Sequence, residues 1–135
     1  MASVLFVCHQ NAGRSQMSEA LFSRTASGRL EARSAGTRPA ARLHPNVVGA
    51  MREVGIDLSS RQPRRLTCDL TEWADVIVTM GCGDECPYVP GKKFIDWNLT
   101  DPADKTSAEV RAIRDEIAAR VNDLVAQLDA RALAS

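Results

Sequence analysis

The sequence predicts an α/β fold in which one parallel sheet is covered by helices on both faces. Three observations carry that prediction. Candidate strands and helices alternate along the chain, the pattern that builds parallel sheets through crossover connections. Residues 75–80, Asp-Val-Ile-Val-Thr-Met, form a continuous β-branched run of the kind buried on both sides of such a sheet. Near the C-terminus, Val110, Ile113, Ile117, Val121, Leu124, Val125 and Leu128 fall on one helical stripe.

Taken in order, Ser3 to Val7 is an apolar strand pattern followed at once by the polar run His9-Gln10-Asn11-Ala12-Gly13. Arg14 to Arg24 then carries Met17, Ala20 and Leu21 at helical spacing, giving strand, loop, helix. Glu31 to Ala35 reads as a second strand ending in the turn Gly36-Thr37-Arg38-Pro39. Val47, Val48, Met51 and Val54 predict a helix over 44–54, with Gly55 as its C-terminal stop. Cys68 precedes a short helix and is expected to be buried, and Trp73, Trp97 and His44 read as structural. The strand Asp75 to Met80, a fourth short strand over Lys93 to Trp97 and the helix Ser107 to Leu128 complete the set. No repeat, low-complexity tract or composition break marks a linker, so residues 1–135 read as one domain. Ligands of such sheets bind beyond the carboxyl ends of the strands, where the loops after Val7, Ala35, Met80 and Trp97 converge.

Composition narrows the function classes. A hydrophobic content of 44% suffices for one core, and 17 Lys and Arg balance 17 Asp and Glu. No excess positive charge is available to neutralise a nucleic-acid backbone, so nucleic acid is not an expected partner. No stretch approaches the roughly 18 apolar residues of a membrane span. The opening Met1-Ala2-Ser3-Val4-Leu5-Phe6-Val7 lacks a basic leader and reads as a first strand, which predicts a cytoplasmic protein. In that setting the four cysteines, Cys8, Cys68, Cys82 and Cys86, read as reactive thiols or metal ligands, not a static disulfide framework.

Cys8 and Arg14 bracket five residues where a strand hands over to a helix, and Ser15 follows. A loop of this length, His9 to Gly13, can turn successive backbone N–H groups into one concavity. The helix N-terminus adds partial positive charge, so a tetrahedral dianion is bound without metal or cofactor. Arg14 supplies a planar fork matched to two oxygens of the anion. The same field favours a thiolate at Cys8, Ser15 is placed to donate to its sulfur, and Asn11 to hold the loop open by bonding its own backbone. The competing reading makes Cys8 a small buried hydrophobe and Arg14 a solvated helix residue. The absence of Gly-x4-Gly-Lys excludes a nucleoside-triphosphate loop.

Asp101-Pro102, after the last strand, offers a carboxylic acid to protonate a leaving oxygen, although taken alone a simple turn Asp before Pro is the favoured reading. Cys82 and Cys86 flank Gly83-Asp84-Glu85 beside the strongest strand. Their proximity permits a relay in which Cys82 attacks a Cys8 adduct and Cys86 then attacks Cys82. Residues four apart on a helix hold their β-carbons about 5–6 Å apart, beyond the roughly 3.5–4.5 Å of a disulfide, so residues 81–90 are expected to be mobile and non-helical when oxidised. Half a zinc site or inert thiols are the alternatives, but His9 and His44 fall elsewhere and no metal is expected.

These residues resemble the arsenate reductases built on the low-molecular-weight protein tyrosine phosphatase fold. The resemblance runs through Val4-Leu5-Phe6-Val7-Cys8, Asn11 and Arg14-Ser15-Gln16-Met17; Ser34-Ala35-Gly36-Thr37; His44-Pro45-Asn46, Met51 and Val54-Gly55-Ile56-Asp57; Asp75 to Met80; Cys86-Pro87; and Trp97 with Asp101-Pro102. It implies a four-stranded parallel sheet, Cys8 as nucleophile, Arg14 as oxyanion ligand and Asp101 as acid. It further implies arsenate as substrate, with phosphate or sulfate as analogues, and an electron donor that is thioredoxin, glutathione with glutaredoxin, or mycothiol with mycoredoxin; the Cys-x3-Cys pair favours thioredoxin. The alternatives are a tyrosine phosphatase and a non-catalytic redox-sensing thiol protein. Gln16, where phosphatases generally have Pro, and Pro102-Ala103-Asp104, where they often place an aromatic residue, argue against the phosphatase.

Overall fold

A computed structural model describes residues 2–81 and 90–134, with side chains through residue 130. The elements run β1 (Ser3–Cys8), α1 (Arg14–Ala26), β2 (Glu31–Gly36), α2 (Pro45–Arg52), α3 (Cys68–Trp73), β3 (Val76–Met80), β4 (Lys93–Asp96) and α4 (Ser107–Ala134). The four strands form one sheet in the order β2-β1-β3-β4, with every pair parallel.

The alternation of side chains along β1 divides the core in two. Val4, Phe6 and Cys8 face α1, α2 and α4, joining Val76, Val78 and Met80 of β3 and the predicted stripe of α4. Leu5 and Val7 face the opposite side with Ile77, Ala35, Leu70 and Ala74, where α3 lies. Both faces of the central strands are therefore dry, which explains why β1 and β3 read as unbroken apolar runs. Phe6 meets Phe22 edge-on at 5.6 Å and Trp97 at 5.7 Å, joining β1 to α1 and to the segment after β4.

The predicted elements are all present, with shifted ends. Helix α4 continues beyond Leu128 to Ala134, because Asp129-Ala130-Arg131-Ala132-Leu133-Ala134 contains no helix breaker although the apolar stripe has ended. Helix α2 is shorter than 44–54: it starts at Pro45 and ends at Arg52, and the chain turns through Gly55 at φ +84°. One expectation fails. Cys68 is exposed, because it opens α3 beside the capping Thr67, where the first turn faces solvent while Leu70 and Thr71 are buried. The segment holding Cys82 and Cys86, with its expected mobility, lies outside the described residues. Among the described residues no helix is long and apolar enough to cross a membrane.

Candidate active site

Cys8 is the last residue of β1 and Arg14 the first of α1, so residues 9–13 form the loop between them at the carboxyl edge of the sheet. The carbonyls of this loop are tied outward. Cys8 O accepts from Thr37 N (3.2 Å), His9 O from Arg38 N (2.8 Å), Gln10 O from Ala40 N (3.0 Å) and Ala12 O from His44 N (3.0 Å). In a trans peptide the N–H points opposite to the C=O, so anchoring these carbonyls to the 37–44 segment turns the N–H groups of His9, Gln10, Asn11 and Gly13 the other way. The chain after β2 thus shapes the concavity predicted from the Cys-x5-Arg spacing, and α1 begins at its floor.

Cys8 is 2% exposed, and its sulfur receives two contacts. Asn11 N donates to it at 3.2 Å, and Ser15 Oγ lies 2.9 Å away. The direction of the second bond follows from a third, because Asn11 Nδ2 donates to Ser15 Oγ at 2.6 Å and leaves the hydroxyl proton for the sulfur. Two donors thus converge on one sulfur.

Asn11 does not bond its own loop backbone, contrary to expectation. With φ at +53° its N–H turns to the sulfur, while its side chain reaches α1 and the segment before α3. Oδ1 accepts from Arg64 N at 2.8 Å and from Gln16 Nε2 at 3.0 Å. Gln16, 3% exposed, also donates to Gln62 O at 3.2 Å. Asn11 is thereby oriented so that its amide nitrogen faces Ser15.

Arg14 is 7% exposed. Its Nη1 donates to Leu99 O at 3.3 Å, and its Nη2 lies 3.7 Å from Asp101 Oδ2. Gly81, one residue beyond β3 at φ +73°, lies against the guanidinium with no room for a β-carbon. The Asp101 side chain is 52% exposed, and its Oδ1 accepts from Ala103 N at 3.0 Å. The structure therefore brings Cys8, Arg14, Ser15 and Asp101 together from β1, α1 and the segment after β4. Cys82 and Cys86 begin immediately beyond Gly81 and lie outside the described residues.

Sequence reasoning passed over Gly81, Leu99 and the bonding role of Gln16. Gly81 had a signal, a glycine ending the strongest strand, but Leu99 contributes only its carbonyl, which side-chain chemistry does not announce.

Residues 3–133 match the low molecular weight phosphotyrosine protein phosphatase family. The chain belongs to that family. Within it the chain aligns with proteins named as arsenate reductases. A putative arsenate reductase of Halobacterium salinarum is 44% identical over 88% of this chain and 87% of its own length. The glutaredoxin arsenate reductase of a Synechocystis strain is 33% identical over 95% of this chain and 99% of its own. Among solved structures, the thioredoxin-dependent arsenate reductase of Corynebacterium glutamicum superposes with a TM-score of 0.82 at 39% identity, covering 97% of this chain. The present chain spans 63% of that longer one. The four-stranded parallel sheet with helices on both faces is the architecture of this family.

Proposed function

We propose that this protein reduces arsenate to arsenite, with Cys8 as the nucleophile. The supporting observation is the setting of its sulfur: it begins the Cys-x5-Arg loop, receives donors from Asn11 and Ser15, and the arginine that closes the loop lies beside Asp101. The names of the relatives support arsenate among tetrahedral oxyanions, and phosphate and sulfate, of the same shape, are its expected analogues.

In the reaction, Arg14 and the loop N–H groups hold the anion while the Cys8 thiolate attacks arsenic. A sulfur–arsenic bond forms and one oxygen leaves as water after Asp101 delivers a proton. The Cys82 thiolate then attacks Cys8 Sγ. A disulfide forms, the sulfur–arsenic bond breaks, and its electron pair reduces As(V) to As(III), released as arsenite. Attack by Cys86 on Cys82 frees Cys8 and leaves a Cys82–Cys86 disulfide. A dithiol donor restores the two thiols. Thioredoxin fits this exchange and is the donor named for the Corynebacterium protein, and the cytoplasm, which keeps thiols reduced, suits the cycle.

A second reading, phosphatase chemistry, is favoured by the family's founding activity. It uses the same three residues but ends with water attacking a phosphorylated Cys8. Single turnover separates the two. Reduced protein is mixed with arsenate without a reductase partner, and free thiols and arsenite are counted for the native chain, Cys82→Ser and Cys86→Ser. Loss of two thiols per arsenite, with Cys82→Ser releasing none, supports the relay. Thiol loss only after a small thiol is added moves the resolving step to glutathione or mycothiol, and no arsenite in either case removes the proposal in favour of the phosphatase.

A further inference from the structure

The carboxylate of Asp101 stands half-exposed above the site, so its position depends on the backbone that carries it. That backbone is gripped from two sides. On one, Pro102 Cγ lies only 2.6 Å from where a β-carbon on Gly13 would stand, so the glycine of the oxyanion loop lets the acid loop close down upon it. On the other, Asn46 Nδ2 donates to Pro102 O at 2.9 Å and to Lys105 O at 3.2 Å. These two carbonyls span the 102–105 turn, in which Lys105 N donates to Pro102 O at 3.2 Å and Asp104 takes φ +60°.

Asn46 stands on a fixed platform. It follows Pro45 in the first turn of α2, whose Val47, Ala50 and Met51 are buried. The far end of that helix is held by Arg114 of α4, whose Nη1 donates to Ala50 O at 2.8 Å. The Oδ1 of Asn46 is buried with no hydrogen-bond partner among the described residues. Burying an unpaired amide oxygen costs free energy that an apolar residue of similar size would avoid. An amide at this position is explained by what its nitrogen does.

We propose that Asn46 is a positioning residue for general-acid catalysis, holding the 101–105 loop so that Asp101 is presented over the anion cradle. This rests on the reading of Asp101 as the acid. Asn46 touches neither the Cys8 sulfur nor the anion loop's donors, so its loss acts on proton delivery and leaves anion binding alone.

A double-mutant cycle tests this. Arsenite formation is followed with reduced protein in excess over arsenate and dithiothreitol present, giving a maximal rate and a half-saturation value for the native chain, Asn46→Leu, Asp101→Asn and the double variant. Phosphate affinity is measured alongside. Asn46→Leu is expected to lower the maximal rate about tenfold, the loss corresponding to one typical buried hydrogen bond. Half-saturation and phosphate affinity should hold, and the effect should vanish in the Asp101→Asn background. Equal loss in both backgrounds, weakened phosphate binding, or no loss in the native background overturns the inference. No effect of Asp101→Asn alone overturns the acid assignment itself, a distinct result. Asn46→Asp, which keeps the shape but loses the donors, gives the same reading if Asn46→Leu does not fold.

Discussion

A β-carbon on Gly81 would stand 2.4 Å from Nη1 of Arg14, so the first residue beyond β3 leaves the space that the arginine beginning α1 occupies. Leu99 O holds the same guanidinium, and Asp101 lies beside it. The arginine thus meets two separate segments, those following β3 and β4, at the edge of one sheet before any anion arrives. Such preorganisation lets binding proceed without the entropic cost of ordering a long side chain.

Gly81→Ala is therefore expected to weaken phosphate binding by at least about tenfold, because Arg14 must move to admit the methyl group. It also places a non-glycine residue at positive φ, at about 1–2 kcal/mol. Gly28→Ala is the control. Gly28 has φ +82° with nothing near its missing β-carbon, so that variant loses similar stability and keeps phosphate affinity. Calorimetric titration with phosphate, beside thermal unfolding, reads both quantities.

Ser15→Ala removes the hydroxyl that Asn11 orients toward Cys8. With one of its two hydrogen-bond partners lost, the Cys8 sulfur should be alkylated by iodoacetamide about tenfold more slowly. Peptide mapping by mass spectrometry follows Cys8 separately from the exposed Cys68. An unchanged rate would mean that Asn11 N–H and the helix terminus suffice.

Gln16→Met keeps length and burial but loses the donor to Asn11 Oδ1. Asn11 retains Arg64 N, so a smaller loss than that of Ser15→Ala is expected, about threefold in the same alkylation assay. The double variant Gln16→Met/Ser15→Ala should be no slower than Ser15→Ala alone, since the two act through one chain of bonds.

Far from the site, Glu53 joins α2 to α4. Its pKa falls from 4.5 to about 2, chiefly through its hydrogen bond with Arg111, with Arg114 adding to the effect. A carboxylate depressed on folding contributes stability that is present above its unfolded value and lost as pH drops through the folded one. The difference in melting temperature between the native chain and Glu53→Gln should therefore be constant above about pH 5 and shrink between pH 4.5 and 2. The group is exposed, so added salt should also reduce it.

The sequence by itself determined the sheet and the Cys-x5-Arg loop. An apolar run that must be buried on both faces specifies a central parallel strand wherever it occurs, which is why β1 and β3 were legible to within a residue. Cys8, Arg14 and Ser15 were legible because a strand-to-helix junction is local: eight adjacent residues carry both the spacing and the helix terminus that gives it meaning. Asp101 was visible only as a chemical type in a plausible loop. What tertiary structure decided was placement across the sheet. That Asn11 bonds Arg64, that Gly81 leaves room for Arg14, and that Asn46 grips the loop after Asp101 depend on contacts spanning 53, 67 and 56 residues of chain. Cys68 made the same point in reverse: its residue type suggested burial, but exposure is set by which face of a short helix meets the sheet. Contacts of that range arise only when strands stack side by side and bring their carboxyl ends into register. No local pattern records them, because the physical constraint on each residue is a neighbour that the chain reaches only by folding.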